Sequence, residues 1–173
     1  EIRPLVDMTL NAGFNEVFFT DVTVPQENIV GKRGEGWAVA NATLSHERGS
    51  LSDPNAMMNR LNSLIEIMKN ETINGQKAID NPVYKDKLMK IQGKVIAFQS
   101  NSLRVLSAKL NKNQDTKIAG MIQKLNGTEL RHELEGFAID VMGELGTLYE
   151  NSPYIRDGGS WQVAYMYFLG LII

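Results

Sequence analysis

The strongest constraint on the fold is a single change of hydrophobic period at GKRGEG (Gly31–Gly36). Before it, FNEVFFTDVTVPQENIVG (Phe14–Gly31) is rich in Val, Phe and Thr. Val17/Phe19 and Val22/Val24 alternate around an irregularity at Asp21, the pattern of the last strand or two of a sheet, and Pro25 ends it. Glu1 also opens directly into a strand-like segment. After the turn-rich link the composition shifts to helix formers and the period to about 3.6. Two regions follow: the end of a β-domain over residues 1–33 and a helical domain over 34–173.

In the helical region the first helix is expected from about Glu35 to at least Arg48. SLSDP (Ser50–Pro54) supplies a break, with Asp53 as N-cap before Pro54. Met57, Met58, Leu61, Leu64, Ile65 and Met68 then recur at helical spacing and predict one buried stripe. A second long helix begins near IDNPVYKD, with Leu88, Ile91, Val95, Phe98, Ser102 and Leu106 inward, and NKNQD (Asn111–Asp115) ends it as a polar loop. A third runs from about Thr116 to Met142. Its inward set is Ile118, Met121, Ile122, Leu125, Leu134, Phe137, Ala138 and Val141, and Gly143 and Gly146 terminate it. A shorter apolar helix starts near Ser160. The fold class expected is mainly α: an antiparallel up-down four-helix bundle preceded by a short β remnant, with no sheet beyond Trp37.

Function classes narrow on charge and composition. A formal charge of -2 with scattered Lys and Arg offers no polyanion-binding field, so nucleic acid is not an expected partner. Zero cysteines exclude disulfides and thiolate metal sites and fit a cytoplasmic setting. The closing AYMYFLGLII is too short for a membrane span. Both ends look cut, so the chain is expected to be part of something larger. ELRH (Glu129–His132) has the Glu-x-x-His spacing of di-iron bundles, but His46, the other of the two histidines, has Thr43 three residues before it. Glu129 and His132 therefore read as a solvated pair. Met57/Met58, and Met166 between Tyr165 and Tyr167, read as core filler. GKRGEG lacks the Lys-Ser/Thr of a phosphate loop.

SHERGS (Ser45–Ser50) is less ordinary. Trp37, Asn41, Leu44 and Arg48 fall on one helical line, and Ala40, Leu44 and Glu47 on the next. One face then combines an aromatic, an amide, an aliphatic, a cation and a carboxylate. Glu47 is a candidate general base if it is partly buried, or an exposed charge near a helix end if it is not.

The order IRPLVDM, FNEVFFTDVTVPQENIVGKRGEGW, LSHERG and a long-helix bundle resembles the acyl-CoA dehydrogenase family, from the end of its middle β-domain through most of its C-terminal bundle. The Val-Pro-x-Glu-Asn-x-x-Gly step followed by Gly-Trp carries most of the resemblance, and IRDGGS adds a little. In such enzymes FAD takes the β-hydride of an acyl-CoA thioester while a glutamate removes the α-proton. Members carry that glutamate either on the first bundle helix, immediately before an arginine, or near the C-terminus. Glu47 followed by Arg48 matches the first position. The resemblance implies Trp37, Asn41, Leu44, Ser45 and Arg48 as walls of the acyl-CoA channel, an electron-transfer acceptor, and a homo- or hetero-oligomer formed through the bundle.

The cofactor elements depart from the family pattern. Where members have Arg-x-x-Phe-Gly, this chain reads DNPVYKDKL (Asp80–Leu88); where they have Gln-x-x-Gly-Gly-x-Gly, it reads DVMGELG (Asp140–Gly146). Asp140 and Glu144 add negative charge where a diphosphate would sit. Gly143 and Gly146 remain as candidate FAD-contacting residues or as a plain helix terminus. Two readings follow: a flavin-dependent acyl-CoA dehydrogenase subunit, or a non-catalytic structural partner in a hetero-oligomer.

Overall fold

The computed structural model describes residues 1–50, 53–111, 117–149 and 151–172, with the side chains at 46, 48–50 and 117 outside that description. It divides into two compact units, Glu1–Arg48 and Gly49–Ile173.

In the first unit, β1 (Ile2–Leu5) pairs antiparallel with β2 (Phe14–Val17), Ile2 opposite Val17 and Leu5 opposite Phe14. The connecting loop is pinned by Asp7, whose Oδ1 accepts from the Thr9 backbone N–H at 2.8 Å and from its hydroxyl at 2.5 Å. The Thr9 hydroxyl holds the Asp7 carboxyl below its usual range. β2 is shorter than the alternation predicts: Asp21 adopts φ 51°, and Val22 and Val24 lie beyond the strand. One left-handed residue breaks the pleat, so the expected irregularity is where the ladder has already ended. In the link, Gly31 takes φ +78° with a Cβ position 3.2 Å from Val39 Cγ2, and the Lys32 N–H donates to the Glu35 carboxylate at 2.9 Å. Helix α1 (Gly36–Ser50) follows. The break expected at SLSDP falls partly on residues 51 and 52, outside the described residues.

The second unit is built from α2 (Pro54–Asn70), α3 (Pro82–Leu110), α4 (Lys117–Met142) and α5 (Ser160–Leu171). Asp53 caps α2 as expected, accepting from the Asn55 N–H at 2.9 Å with Pro54 in the first turn. Asn81 does the same for α3, accepting from the Val83 N–H at 3.0 Å ahead of Pro82. Between them, contrary to the expectation of no sheet beyond Trp37, lies a two-stranded antiparallel hairpin of β3 (Thr72–Ile73) and β4 (Gln76–Lys77). Asn74 (φ 52°) and Gly75 (φ 80°) supply the two left-handed residues of its tight turn. The loop expected at NKNQD lies, after Asn111, outside the described residues.

α2 packs on α3 and α4, α3 on α4, and α4 on α5. One apolar cluster joins Leu61, Leu64 and Met68 of α2, Ile91 and Val95 of α3, Leu134 and Phe137 of α4, and Trp161 of α5. Burying each large side chain stabilises the fold by roughly 1.5–3 kcal/mol. The mainly-α class is therefore as expected, but the inward sets need correcting. On α3 Val105 is buried and Leu106 is exposed. On α4 only the C-terminal half of the stripe is buried: Ile118 is 69% exposed, and Met121, Ile122 and Leu125 are exposed too. Periodicity identifies an apolar face without saying how much of its length has a partner.

A charged cluster sits beside this core. Glu135 of α4 is fully buried and accepts from Arg60 of α2 (Nη2–Oε2 2.6 Å) and from Arg131 (Nε–Oε1 2.5 Å). The Arg60 guanidinium lies 3.3 Å from the Trp161 ring centroid, and the Trp161 N–H donates to Asp157 at 2.6 Å. His132 is not a simply solvated residue. It stacks on Tyr165 with ring centroids 4.3 Å apart, and its Nδ1 is 3.0 Å from the Tyr165 carbonyl, which requires the hydrogen on Nδ1.

Candidate functional site

The residues expected to line a substrate channel lie on α1, in the first unit. Trp37, Asn41 and Leu44 are one turn apart along a single helix line, with position 48 continuing it. The polar side chains turn back onto the helix. Asn41 Nδ2 donates to the Trp37 carbonyl at 2.8 Å, and the Ser45 hydroxyl to the Ala42 carbonyl at 2.7 Å. These bonds leave the Asn41 amide oxygen and the Ser45 lone pairs as acceptors. Trp37 is 82% exposed and Leu44 47%; Ser45 and Glu47 are exposed as well. Within its own unit α1 thus presents an aromatic, an aliphatic and a carboxylate to the surroundings. The partly buried Glu47 that would favour a base is not what this chain provides by itself. The Arg48 side chain lies outside the described residues.

The second group of expected residues lies in the other unit, where α4 passes into one short 3₁₀ stretch, Gly143–Thr147. Gly143 has φ +56° with open space at its Cβ position. Gly146 is buried, and a Cβ there would stand 2.6 Å from the Ile139 carbonyl oxygen. The second glycine therefore accommodates the chain's own backbone, not a ligand. Asp140 pairs with Lys87 of α3 at 2.8 Å, and that ammonium also lies 4.7 Å from the Phe137 ring centroid. A diphosphate here would meet the exposed carboxylate of Glu144 and a lysine already engaged by Asp140. The loop's own residues do not fit FAD.

A groove of about 500 Å³ between α3 and α4 was not foreseen. It is lined by Lys94, Asn101, Gln123, Asn126 and Glu133, among others, with Lys94 Nζ 2.7 Å from Glu133 and Asn101 Nδ2 2.7 Å from Gln123 Oε1. These partnered groups knit α3 to α4. Amide and charge positions on facing helices were visible in the sequence, but their pairing was not.

Comparison with known proteins agrees with the helical architecture. The family model for the acyl-CoA dehydrogenase C-terminal domain matches residues 34–166. The chain is 30% identical over 171 residues to acyl-CoA dehydrogenase IpdE1 of Mycobacterium tuberculosis, covering 96% of this chain and 41% of that protein. Among solved structures it superposes on the ChsE4-ChsE5 complex from Mycobacterium tuberculosis with a TM-score of 0.81 at 24% identity, over 99% of this chain and 44% of that one. The Tcur3481-Tcur3483 steroid ACAD gives 0.83 at 18% identity, over 99% and 43%. The chain belongs to the acyl-CoA dehydrogenase family, whose members are generally FAD-dependent oxidoreductases. It spans about two fifths of the length of the IpdE1 relative. Among the described residues no helix is long and apolar enough to cross a membrane.

Proposed function

We propose that this chain is the C-terminal part of a flavin-dependent acyl-CoA dehydrogenase subunit that catalyses α,β-desaturation of an acyl-CoA thioester, with Glu47 taking the α-proton. The observation that carries the reading is the α1 face: Trp37, a large aromatic, is 82% exposed on the same helix as Leu44 and the Glu47-Arg48 pair. An apolar chain and its thioester are a fitting cover for such a face, and burial against substrate gives the carboxylate the dry surroundings that proton abstraction favours. Trp37, Leu44 and Ser45 would then wall the channel, the Asn41 amide oxygen would accept from the ligand, and Arg48 would orient the base. The domain boundary proposed at residues 33/34 coincides with the start of the family match at residue 34, whereas the two compact units of the structure divide between Arg48 and Gly49.

In this proposal FAD is held with the help of a second subunit, because Asp140 and Glu144 oppose a diphosphate. Solved relatives named as the ChsE4-ChsE5 complex and the Tcur3481-Tcur3483 enzyme support a hetero-oligomer. The same acidic loop favours the second reading, a structural partner without catalysis. Glu47→Gln in the full-length protein, with any needed partner, separates the two. The carboxamide keeps the shape and cannot accept the proton, so desaturation should be abolished while the flavin spectrum and acyl-CoA affinity persist. Near-normal turnover would remove Glu47 from the chemistry.

A further inference from the structure

Asparagine is followed by glycine twice in this chain, at Asn74-Gly75 and at Asn126-Gly127. The dipeptide has a reactivity of its own: the backbone nitrogen of the second residue can attack the side-chain amide carbon of the first, and glycine has no side chain to obstruct the ring that forms. The fold gives the two pairs opposite surroundings. Asn126 and Gly127 lie inside α4, where Gly127 is buried beside Gln123, Thr128 and Leu130, each at most 6% exposed. Within the helix the Gly127 N–H is committed to the carbonyl four residues before it. Asn74 and Gly75 are both exposed, at the tip of a hairpin whose ladder has only the pairs Thr72–Lys77 and Ile73–Gln76. Neither the Gly75 N–H nor the Asn74 side-chain amide has a hydrogen-bond partner among the described residues. A Cβ at Gly75 would meet nothing within 4 Å, so no neighbouring group crowds the tip. Ring closure requires rotation about the Asn74 backbone to bring the Gly75 nitrogen onto the amide carbon. A short two-stranded hairpin permits this by opening locally, whereas the same rotation at Asn126 breaks a long helix in its packed middle.

We propose that Asn74-Gly75 is a site of spontaneous deamidation and backbone isomerisation, and that α4 protects Asn126-Gly127 from the same reaction. The Gly75 nitrogen loses its proton to solvent base and bonds to Asn74 Cγ; the Cγ–Nδ2 bond breaks, and the amide nitrogen leaves as ammonia. Water then opens the cyclic imide. Attack at Cγ breaks its bond to the Gly75 nitrogen and gives aspartate on an ordinary backbone. Attack at the Asn74 main-chain carbonyl carbon breaks the original peptide bond instead, and the chain now runs through Cβ and Cγ. No electrons are exchanged, and water is the only co-reactant. Aspartate is a favoured residue of this turn, so the first product keeps the hairpin. The second adds one atom to a two-residue turn, which no longer holds Ile73 opposite Gln76. Around the hairpin, Ile73 packs on the core cluster, Lys77 Nζ donates to the Asn70 carbonyl at 3.3 Å, and the Ala78 N–H donates to the Glu71 carbonyl at 3.0 Å. The isomerised turn therefore loosens the join between α2 and α3. This inference is independent of the role of Glu47 and of flavin.

Aging the full-length protein, with its partner if it needs one, in mildly alkaline heavy-oxygen water followed by peptide mass spectrometry tests the assignment. The peptide holding Asn74 should lose its amide, take up heavy oxygen and become a substrate for a protein isoaspartate methyltransferase. The peptide holding Asn126 should do so only in chain unfolded by urea. Conversion at Asn74 should quicken as pH rises, because the attacking nitrogen must lose its proton. Asn74→Gln, whose longer side chain closes the larger ring far less readily, should abolish methylation. Aged protein should show a lower denaturation midpoint than fresh protein, whereas fresh Asn74→Asp, which carries the charge without the extra backbone atom, should not. An Asn74 amide that persists in the folded protein while the urea-unfolded chain converts overturns the proposal, as does conversion of Asn126 as fast as Asn74 in the folded protein. Heavy oxygen at Asn74 without any methylatable product overturns the isomerisation, and an unchanged midpoint in methylatable aged protein overturns its effect on the hairpin.

Discussion

Glycines 143 and 146 and Asp140 sit within seven residues of one another and do different work. At Gly146 the obstacle to a side chain is the Ile139 carbonyl, 2.6 Å from the Cβ position. Gly146→Ala should therefore destabilise the full-length protein by about 1–3 kcal/mol in chemical denaturation. At Gly143 only the left-handed backbone resists, and Gly143→Ala should cost about 1–2 kcal/mol. Asp140 differs again, because it engages Lys87 at the surface, where an ion pair contributes little stability. Asp140→Gln with Glu144→Gly should leave the denaturation midpoint nearly unchanged. By releasing Lys87 and removing two carboxylates, it should raise flavin retention through gel filtration of the assembled protein.

Among elements, the β3–β4 hairpin shows how a local signal governs the path between long helices. The two helices it connects are capped independently, by Glu71 N–H bonding to the Ile67 carbonyl at the end of α2 and by Asn81 at the start of α3. The hairpin turns on Asn74 and Gly75, and only the latter has no Cβ to crowd its left-handed conformation. Gly75→Ala should cost about 1 kcal/mol, read as a lower denaturation midpoint with unchanged helical content. α1 is the contrasting element, since its side chains bond back to its own carbonyls and leave Trp37 open. Its stability should depend on what covers it. Acyl-CoA should therefore raise the protein's unfolding midpoint, and Trp37→Ala should reduce that increase, as differential scanning fluorimetry would report.

Across the whole helical unit, Glu135 joins three helices through one carboxylate. Arg60 of α2 and Arg131 of α4 bind it, and Arg60 lies over Trp161 of α5. Glu135→Leu leaves two guanidinium groups around an apolar side chain, and the expected loss is about 3–5 kcal/mol. Adding Arg60→Met and Arg131→Leu should recover most of it, because an apolar set of similar volume needs no counter-charge. Urea denaturation of the single and triple variants makes the comparison. A single variant as stable as the parent would show that the cluster contributes no more than surface pairs do.

The chain's period determines its mainly-α class, and local chemistry determines several ends: Asp53-Pro54 starts α2, and Asn81-Pro82 starts α3. These were legible because capping and hydrophobic spacing act within one or two turns. The Glu47-Arg48 pair and the α1 line were legible for the same reason. Tertiary structure decided which apolar stripes found partners. Leu134 and Phe137 are buried while Ile118 and Met121, on the same helix and at similar spacing, are not. It also decided that Glu135, polar and unremarked in the sequence, would be among the most buried side chains. Such outcomes depend on residues some 75 positions apart, as Arg60 and Glu135 are, and no local pattern encodes which distant surface will be present.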